Sequence, residues 1–216
     1  MKKVSIIIPT KDEPYIQTLV EKIHEILKVK HEVIIVDKSK YLPKVTGAKV
    51  VKQKSDGLGK AFLEGLKFAK GDVIVLMDGD GSHRPEDLPR LLDKIKEYDI
   101  VLGSRYVKGG KNQDKFYRIL ISRFYSFLTS FLLGLKIKDN MSGFSVVKRS
   151  VYEKIKLNPL GFKINTELLF KAKKFGYKIV EIPIMFENRK MGKSKAGLIE
   201  GMRTLKFIFK LKFGLR

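Results

Sequence analysis

The chain has no cysteine and no tryptophan, only three histidines, and 23 acidic residues against 45 Lys+Arg in its 216 positions. Without cysteine there is no disulfide framework, thiol nucleophile or thiolate metal site. Abundant Lys and Glu beside absent Cys and Trp is a compositional hint of a thermophile. Long apolar runs are also lacking. Met1-Lys2-Lys3 is followed only by Val4 to Pro9 before polar chain resumes, too short for the apolar region of a signal peptide. Ile119 to Leu135 comes nearest to a membrane span, but Arg123, Ser122, Ser126, Thr129 and Ser130 interrupt it. A spanning helix needs about 20 apolar residues. The segment is therefore expected to be an interfacial or partly buried amphipathic helix over 116–135.

What is present is charge of one sign. Residues 1–108 carry 21 Lys+Arg against 16 Asp+Glu, and residues 109–216 carry 24 against 7. An excess of +22 placed mostly in the second half calls for a polyanionic partner: nucleic acid, an anionic bilayer or phosphorylated substrates. Apolar content of 44% is ordinary for a folded protein.

Periodicity predicts strands at Val4–Ile8, Glu32–Val36, Val50-Val51, Val73–Met77 and Ile100–Gly103. Helices are predicted over Pro14–Lys28, Gly59–Ala69 and Pro85–Lys96, the last opened by a proline and two acids. Strands alternating with helices of this length imply βαβ units and a mainly parallel α/β sheet. Three strands end in acidic turns, at Asp12-Glu13, Asp37 and Asp78/Asp80. In open α/β sheets ligands bind beyond the carboxyl ends of the strands, so these acids mark a site.

The sharpest signal is Val73-Ile74-Val75-Leu76-Met77-Asp78-Gly79-Asp80. Carboxylates at i and i+2, just off a buried strand, can aim at one divalent ion, with Gly79 admitting close backbone approach. Carboxylate oxygens suit Mg²⁺ or Mn²⁺ shared with substrate phosphates. A solvated Asp-Gly turn is the plain alternative. Ser55-Asp56-Gly57-Leu58-Gly59-Lys60 opens a helix but lacks P-loop spacing.

Together these segments resemble the family 2 glycosyltransferases of GT-A fold and, within them, the dolichol-phosphate mannose synthases. The resemblance rests on Ile6-Ile7-Ile8-Pro9-Thr10-Lys11-Asp12-Glu13, Ile34-Ile35-Val36-Asp37, Gly57-Leu58-Gly59-Lys60-Ala61 and Asp78-Gly79-Asp80-Gly81-Ser82-His83-Arg84-Pro85-Glu86. Gly103-Ser104-Arg105, Asp139-Asn140-Met141-Ser142-Gly143-Phe144 and Pro183-Ile184-Met185-Phe186 with Arg189, Gly192, Ser194 and Lys195 complete it. It covers residues 4–195.

The resemblance implies a nucleotide-sugar site at Pro9, Lys11, Glu13, Asp37, Asp56, Asp78, Gly79 and Lys163. It implies a Mg²⁺ or Mn²⁺ site at Asp78, Asp80 and Ser82, and an acceptor-phosphate group at Arg105, Arg118 and Ser122. Asp80, Arg189 and Lys195 are the implied catalytic residues, the last two in a segment closing over the diphosphate. Lys11 stands where the family has an aromatic residue, Lys38 where a second acid is common, and Ser82 where the mannose synthases have a metal-binding Gln. His83 is read as lying behind the ligands, and His24 and His31 as surface residues.

The implied reaction is inverting transfer of a sugar, mannose foremost, from a GDP- or UDP-sugar to a polyprenyl (dolichyl) phosphate. The acceptor phosphate is already ionised, so no base is named. A sugar-hydroxyl acceptor would need one, with Glu167 or Asp139 as candidates. A nucleic-acid-binding module is the alternative from another class, but no reader motif supports it. Residues 1–197 are expected to form the catalytic domain. Residues 198–216, where cations interleave with Leu205, Phe207, Ile208, Phe209, Leu211 and Phe213, are expected to be a basic amphipathic tail on an anionic membrane. The expected location is peripheral, on the cytoplasmic face of the cell membrane.

Overall fold

The computed structural model describes residues 3–159, 163–188 and 198–213, with the side chains of the last helix described from 206 onward. One seven-stranded sheet organises the chain. Strands β1 (Val4–Thr10), β2 (His31–Asp37), β3 (Ala48–Lys52) and β4 (Val73–Leu76) run parallel in the order β3-β2-β1-β4. The sheet continues through β7 (Ser145–Lys148) and β5 (Ile100–Ser104) to β8 (Ile179–Pro183). Strand β7 is antiparallel to both neighbours, while β5 and β8 are parallel. The expectation of a mainly parallel α/β sheet holds, with one antiparallel strand in its interior. A small two-stranded sheet pairs β6 (Lys111–Asn112) with β9 (Met185–Phe186).

Strand alternation builds the core. Ile6 and Ile8 of β1 face α1 (Ile16–Ile26), meeting Leu19, Val20 and Ile23, and also Leu88 and Leu91 of α3 (Leu88–Lys94). Ile7 faces the other way, toward Ala61 and Phe62 of α2 (Leu58–Leu66). Farther along, α5 (Arg149–Lys154) and α6 (Ile164–Lys174) cover Ile100, Leu102 and Val147. Pro9 is tolerated in a central strand because the β1–β4 pairing ends at Ile7, so its missing N–H interrupts no ladder there. The predicted helix Pro85–Lys96 divides into a 3₁₀ turn, Pro85–Asp87, and α3, with Pro89 in the first turn of the α-helix.

Helix α4 (Phe116–Leu133) is amphipathic in the reverse of the usual sense. Its buried residues are Ser126, Thr129, Ser130 and Leu133. Phe116, Tyr117, Leu120, Ile121, Phe124, Phe127 and Phe131 all face solvent, from 51% to 75% exposed. Helix α7 (Leu198–Phe213) packs against it, burying Phe207 and Ile208 and leaving Phe209 and Phe213 exposed. Among the described residues no helix is long and apolar enough to cross a membrane.

Candidate active site

The acidic turns converge at the carboxyl ends of β1, β2 and β4. Adjacent strands lie about 4.8 Å apart, so β3 to β4 spans roughly 14 Å of sheet edge. At its first corner the Thr10 hydroxyl donates to Asp37 Oδ2 (2.7 Å) and the Ser39 amide to Asp37 Oδ1 (2.8 Å). Asp37 is thus 1% exposed and locks the two strand ends together. The open carboxylate here is Asp56, whose side chain is 95% exposed and lies 3.0 Å from Lys38 Nζ. Its loop is fixed from behind. Glu64 accepts hydrogen bonds from the Lys54 and Ser55 amides and from the Ser55 hydroxyl. Burial pushes the Glu64 carboxyl up, but these bonds and Lys67 outweigh it and hold the group below the ordinary carboxylate range. Pro9 is buried, Glu13 half-buried and Lys11 exposed at the turn after β1. Asp12 adopts a left-handed backbone, φ 55°, with its amide donating to Ser39 Oγ at 2.7 Å.

The loop after β4 holds Asp78, Gly79, Asp80 and Ser82. A side chain at Gly79 would meet Thr10 Cγ2 at 2.6 Å, so glycine lets this loop pass over β1. Asp80 is almost buried, and its Oδ1 accepts both the Ser82 hydroxyl (2.6 Å) and the Ser82 amide (3.0 Å). Ser82, itself fully buried, therefore fixes the orientation of the Asp80 carboxylate. His83 lies beneath this loop: its Nδ1 accepts the Asp78 amide at 3.1 Å. The ring stacks on Phe144, centroids 4.9 Å apart, and meets Phe186 edge-on at 5.4 Å. The remaining histidines pair near the surface, His24 Nδ1 to His31 Nε2 at 2.8 Å. No group of three or more His, Cys, Asp or Glu placed to hold a metal occurs among the described residues. Two carboxylates with hard oxygen donors nevertheless fit Mg²⁺ or Mn²⁺ sharing its remaining positions with substrate phosphate.

On the far side of this loop Arg105, at the end of β5, is forked by Asp139. Nε donates to Oδ2 and Nη2 to Oδ1, both at 2.7 Å, and the Arg105 amide adds a third bond at 2.9 Å. Burial disfavours the guanidinium charge, yet the Asp139 bonds and charge more than offset it, so Arg105 is held cationic beyond its ordinary range. Its guanidinium carbon sits 5.0 Å from the Tyr106 ring centroid and 5.2 Å from that of Phe186. Burial pushes the Tyr106 hydroxyl up, and it lies near Ser122 and Asn112 without a well-directed hydrogen bond to either. Arg118, on the first turn of α4, is partly exposed and 3.7 Å from Asp114.

One six-residue loop, 139–144, links Arg105, α4, α6 and the carboxylate loop after β4. Asp139 grips Arg105, and Asn140 donates to Ser126 O and Ser130 Oγ of α4. Ser142 O accepts from Asn165 of α6. Gly143 faces Asp78 so closely that a Cβ would lie 3.0 Å from both carboxylate oxygens. Phe144 carries His83. Lys163, two residues before Asn165, is buried at the head of α6. Arg189 and Lys195 lie outside the described residues. Neither carboxylate offered as a base for a hydroxyl acceptor stands open. Asp139 is fully buried on Arg105, and Glu167 is buried against the Asn158 amide and Lys171.

Local sequence pattern gives Tyr106, Asn140 and Phe186 no distinct role. Asn140 and Phe186 fell inside recognised motifs, but only the fold sets them against α4 and His83.

Comparison with known proteins agrees with this architecture. The chain resembles a crystal structure of glucosyl-3-phosphoglycerate synthase from Mycobacterium tuberculosis in complex with Mn²⁺, UDP-glucose and phosphoglyceric acid. The TM-score is 0.74 at 17% identity, covering 99% of this chain and 79% of that one, a likeness of GT-A fold. In sequence it is 41% identical over 209 residues to a dolichol-phosphate mannosyltransferase of Pyrococcus furiosus, covering 89% of this chain and 59% of the relative. It is 37% identical over 169 residues to a polyprenol monophosphomannose synthase of Mycolicibacterium smegmatis, covering 74% and 63%. The chain thus spans about three fifths of the length of the curated relatives it matches. The model of glycosyl transferase family 2 matches residues 5–156, and the chain belongs to that family.

Proposed function

We propose that the protein transfers mannose, with inversion, from a nucleotide-mannose, GDP-mannose foremost, to a polyprenyl phosphate. One observation carries the acceptor assignment: the Arg105 guanidinium, 12% exposed and held by Asp139, is followed by Tyr106, which lies near Ser122 on a helix whose large apolar side chains face outward. A lipid phosphate needs both, a fixed cation for its head and an apolar neighbour for its chain. The two mannosyltransferase relatives support the same choice.

In this reading Asp56, Glu13, Pro9 and Lys11 surround the nucleoside, Asp37 braces that corner, and Lys163 stands near the donor. Asp78 and Asp80 would hold Mg²⁺ or Mn²⁺, oriented by Ser82, and the ion would neutralise charge on the departing diphosphate. Arg105, Arg118 and Ser122 hold the acceptor phosphate, one of whose oxygens attacks the anomeric carbon from the face opposite the diphosphate. The phosphate is ionised at neutral pH, so positioning and charge stabilisation suffice. That Asp139 and Glu167 are both engaged and buried agrees with a reaction needing no base. Arg189 and Lys195 are assigned to the diphosphate by resemblance. Residues 1–197 form the catalytic body, and 198–216 a basic amphipathic tail, of which α7 packs against α4. Both helices would rest on an anionic membrane, peripherally and on the cytoplasmic face.

The test is transfer of radiolabel from a panel of GDP- and UDP-sugars into an organic-extractable product, with a polyprenyl phosphate supplied in detergent. Label from GDP-mannose alone entering the lipid phase is the expected result. Label reaching only water-soluble products would favour a hydroxyl acceptor, and no turnover with salt-dependent DNA binding would favour a nucleic-acid module.

A further inference from the structure

We infer that Asn140 is a positioning residue for the acceptor: its carboxamide fixes the register of α4, and so where Arg118 and Ser122 stand relative to Arg105. This rests on the acceptor reading just given and goes beyond it. Most surface helices are located by an apolar stripe buried in the core. Here most of the stripe faces solvent, and Leu133, at the last turn, is the one apolar residue of α4 that is buried, with Leu132 partly buried beside it. The inner face is a polar seam instead. Asn140 Nδ2 donates to Ser126 O at 2.7 Å and to Ser130 Oγ at 2.8 Å. Ser130 Oγ donates onward to Ile137 O at 2.5 Å. Asn140 is itself pinned, because its carbonyl accepts the Thr166 hydroxyl of α6 at 3.1 Å.

The remaining atoms of the seam contribute little. Asn140 Oδ1, Ser126 Oγ and Thr129 Oγ1 are buried and make no hydrogen bond among the described residues. An apolar side chain of similar size would fill the same space without stranding Oδ1. The amide therefore supplies direction more than stability. That direction matters because the preceding residue, Asp139, holds Arg105. Consecutive Cα atoms are about 3.8 Å apart, so both halves of the acceptor group are referenced to one point on one loop. A slip of one residue in α4 would move it about 1.5 Å along its axis and turn it by about 100°, carrying Arg118 and Ser122 off the phosphate.

The test uses Asn140→Leu in the full chain, which removes both donors and the stranded acceptor. Its melting temperature and its affinity for GDP should match the parent. Its KM for a polyprenyl phosphate in detergent should rise on the order of tenfold, two hydrogen bonds at a few-fold each, with kcat kept at saturation. Ser130→Ala should give a smaller rise. Because the chain has no native cysteine, spin labels at Arg123→Cys on α4 and Glu25→Cys on α1 report the helix position directly. Asn140→Leu should broaden that distance distribution. An unchanged KM with an unchanged distance overturns the inference, and so does an equal fall in GDP affinity, kcat and melting temperature. Arg118→Ala separates the two levels. If it raises the acceptor KM while Asn140→Leu does not, positioning alone fails. If Arg118→Ala leaves KM unchanged, the acceptor reading fails and the inference falls with it. Should Asn140→Leu not fold, Ser130→Ala in the labelled chain decides by the same two readouts.

Discussion

Asp139 meets Arg105 as a two-pronged fork, Nε to Oδ2 and Nη2 to Oδ1, each at 2.7 Å, with the carboxylate fully buried. This pair fixes the position of the Arg105 guanidinium beside the end of β5, its charge largely offset by the carboxylate. Removing one partner of a buried pair costs about 3–5 kcal/mol, because the other charge is left uncompensated. Asp139→Ala should therefore lower the melting temperature by roughly 10 °C, at about 2–4 °C per kcal/mol for a chain of this size. Asp139→Asn keeps the shape and should fold better, yet still raise the acceptor KM. Calorimetry and initial rates check both. An Asp139→Asn protein with lost chemistry but an unchanged acceptor KM would instead mark Asp139 as a base.

The carboxylate loop gives a graded prediction. Asp80→Ala should abolish Mn²⁺ binding and transfer, as should excess chelator. Ser82→Ala removes the 2.6 Å bond to Asp80 Oδ1 and should weaken metal affinity by about tenfold while leaving kcat at saturating metal nearly unchanged. Isothermal titration with Mn²⁺ in the presence of GDP measures this directly. If Ser82→Ala were as damaging as Asp80→Ala, Ser82 would be a ligand in its own right.

Acid should loosen the corner that carries Asp56. The folded-state value of Glu64 is depressed, so its stabilisation is complete above the ordinary carboxylate range and is lost as pH falls through the lowered value. Hydrogen exchange at the Lys54 and Ser55 amides, corrected for intrinsic rate, should stay protected near neutrality and open in strong acid. Glu64→Gln should show the open behaviour at neutral pH. Equal protection in parent and variant would mean another contact holds the loop.

The outward face of α4 predicts a membrane phenotype without a folding phenotype. Phe127 and Phe131 are 68% and 74% exposed, so Glu at both positions should leave the melting temperature within about 1 °C, as surface changes usually do. Binding to anionic liposomes should fall sharply. High salt should release much of the intact protein, since cations near the surface contribute on the order of 1 kcal/mol each and are screened. Undiminished binding by the double variant would move the contact to α7.

Parts of this architecture are legible in the sequence for local reasons. Ile6–Ile8, Val33–Val36 and Val73–Met77 are unbroken apolar runs closed by proline or acid, and each overlaps a strand of the parallel half of the sheet. Strand β7 is not legible, because four residues, Ser-Val-Val-Lys, carry no period, and their central antiparallel place is decided by pairing with β4 and β5. Asp37 reads as a strand-end acid, but its engagement by Thr10 lies 27 residues away along the chain. The Arg105–Asp139 fork spans 34 residues and Asn165–Ser142 spans 23, separations at which local pattern is silent. The apolar content of 116–135 is plain, whereas its outward direction follows only from the polar seam beneath it.

The most direct measurement compares two acceptors that differ by one group. Labelled GDP-mannose, Mg²⁺ and the full chain are incubated with a polyprenyl phosphate or with the matching polyprenol, and the organic phase is counted. The account predicts a mannosyl-phosphate product of inverted anomeric configuration from the phosphate, and no label above background from the alcohol. Comparable labelling of both lipids, or label only in water-soluble products, would contradict a phosphate acceptor held at Arg105.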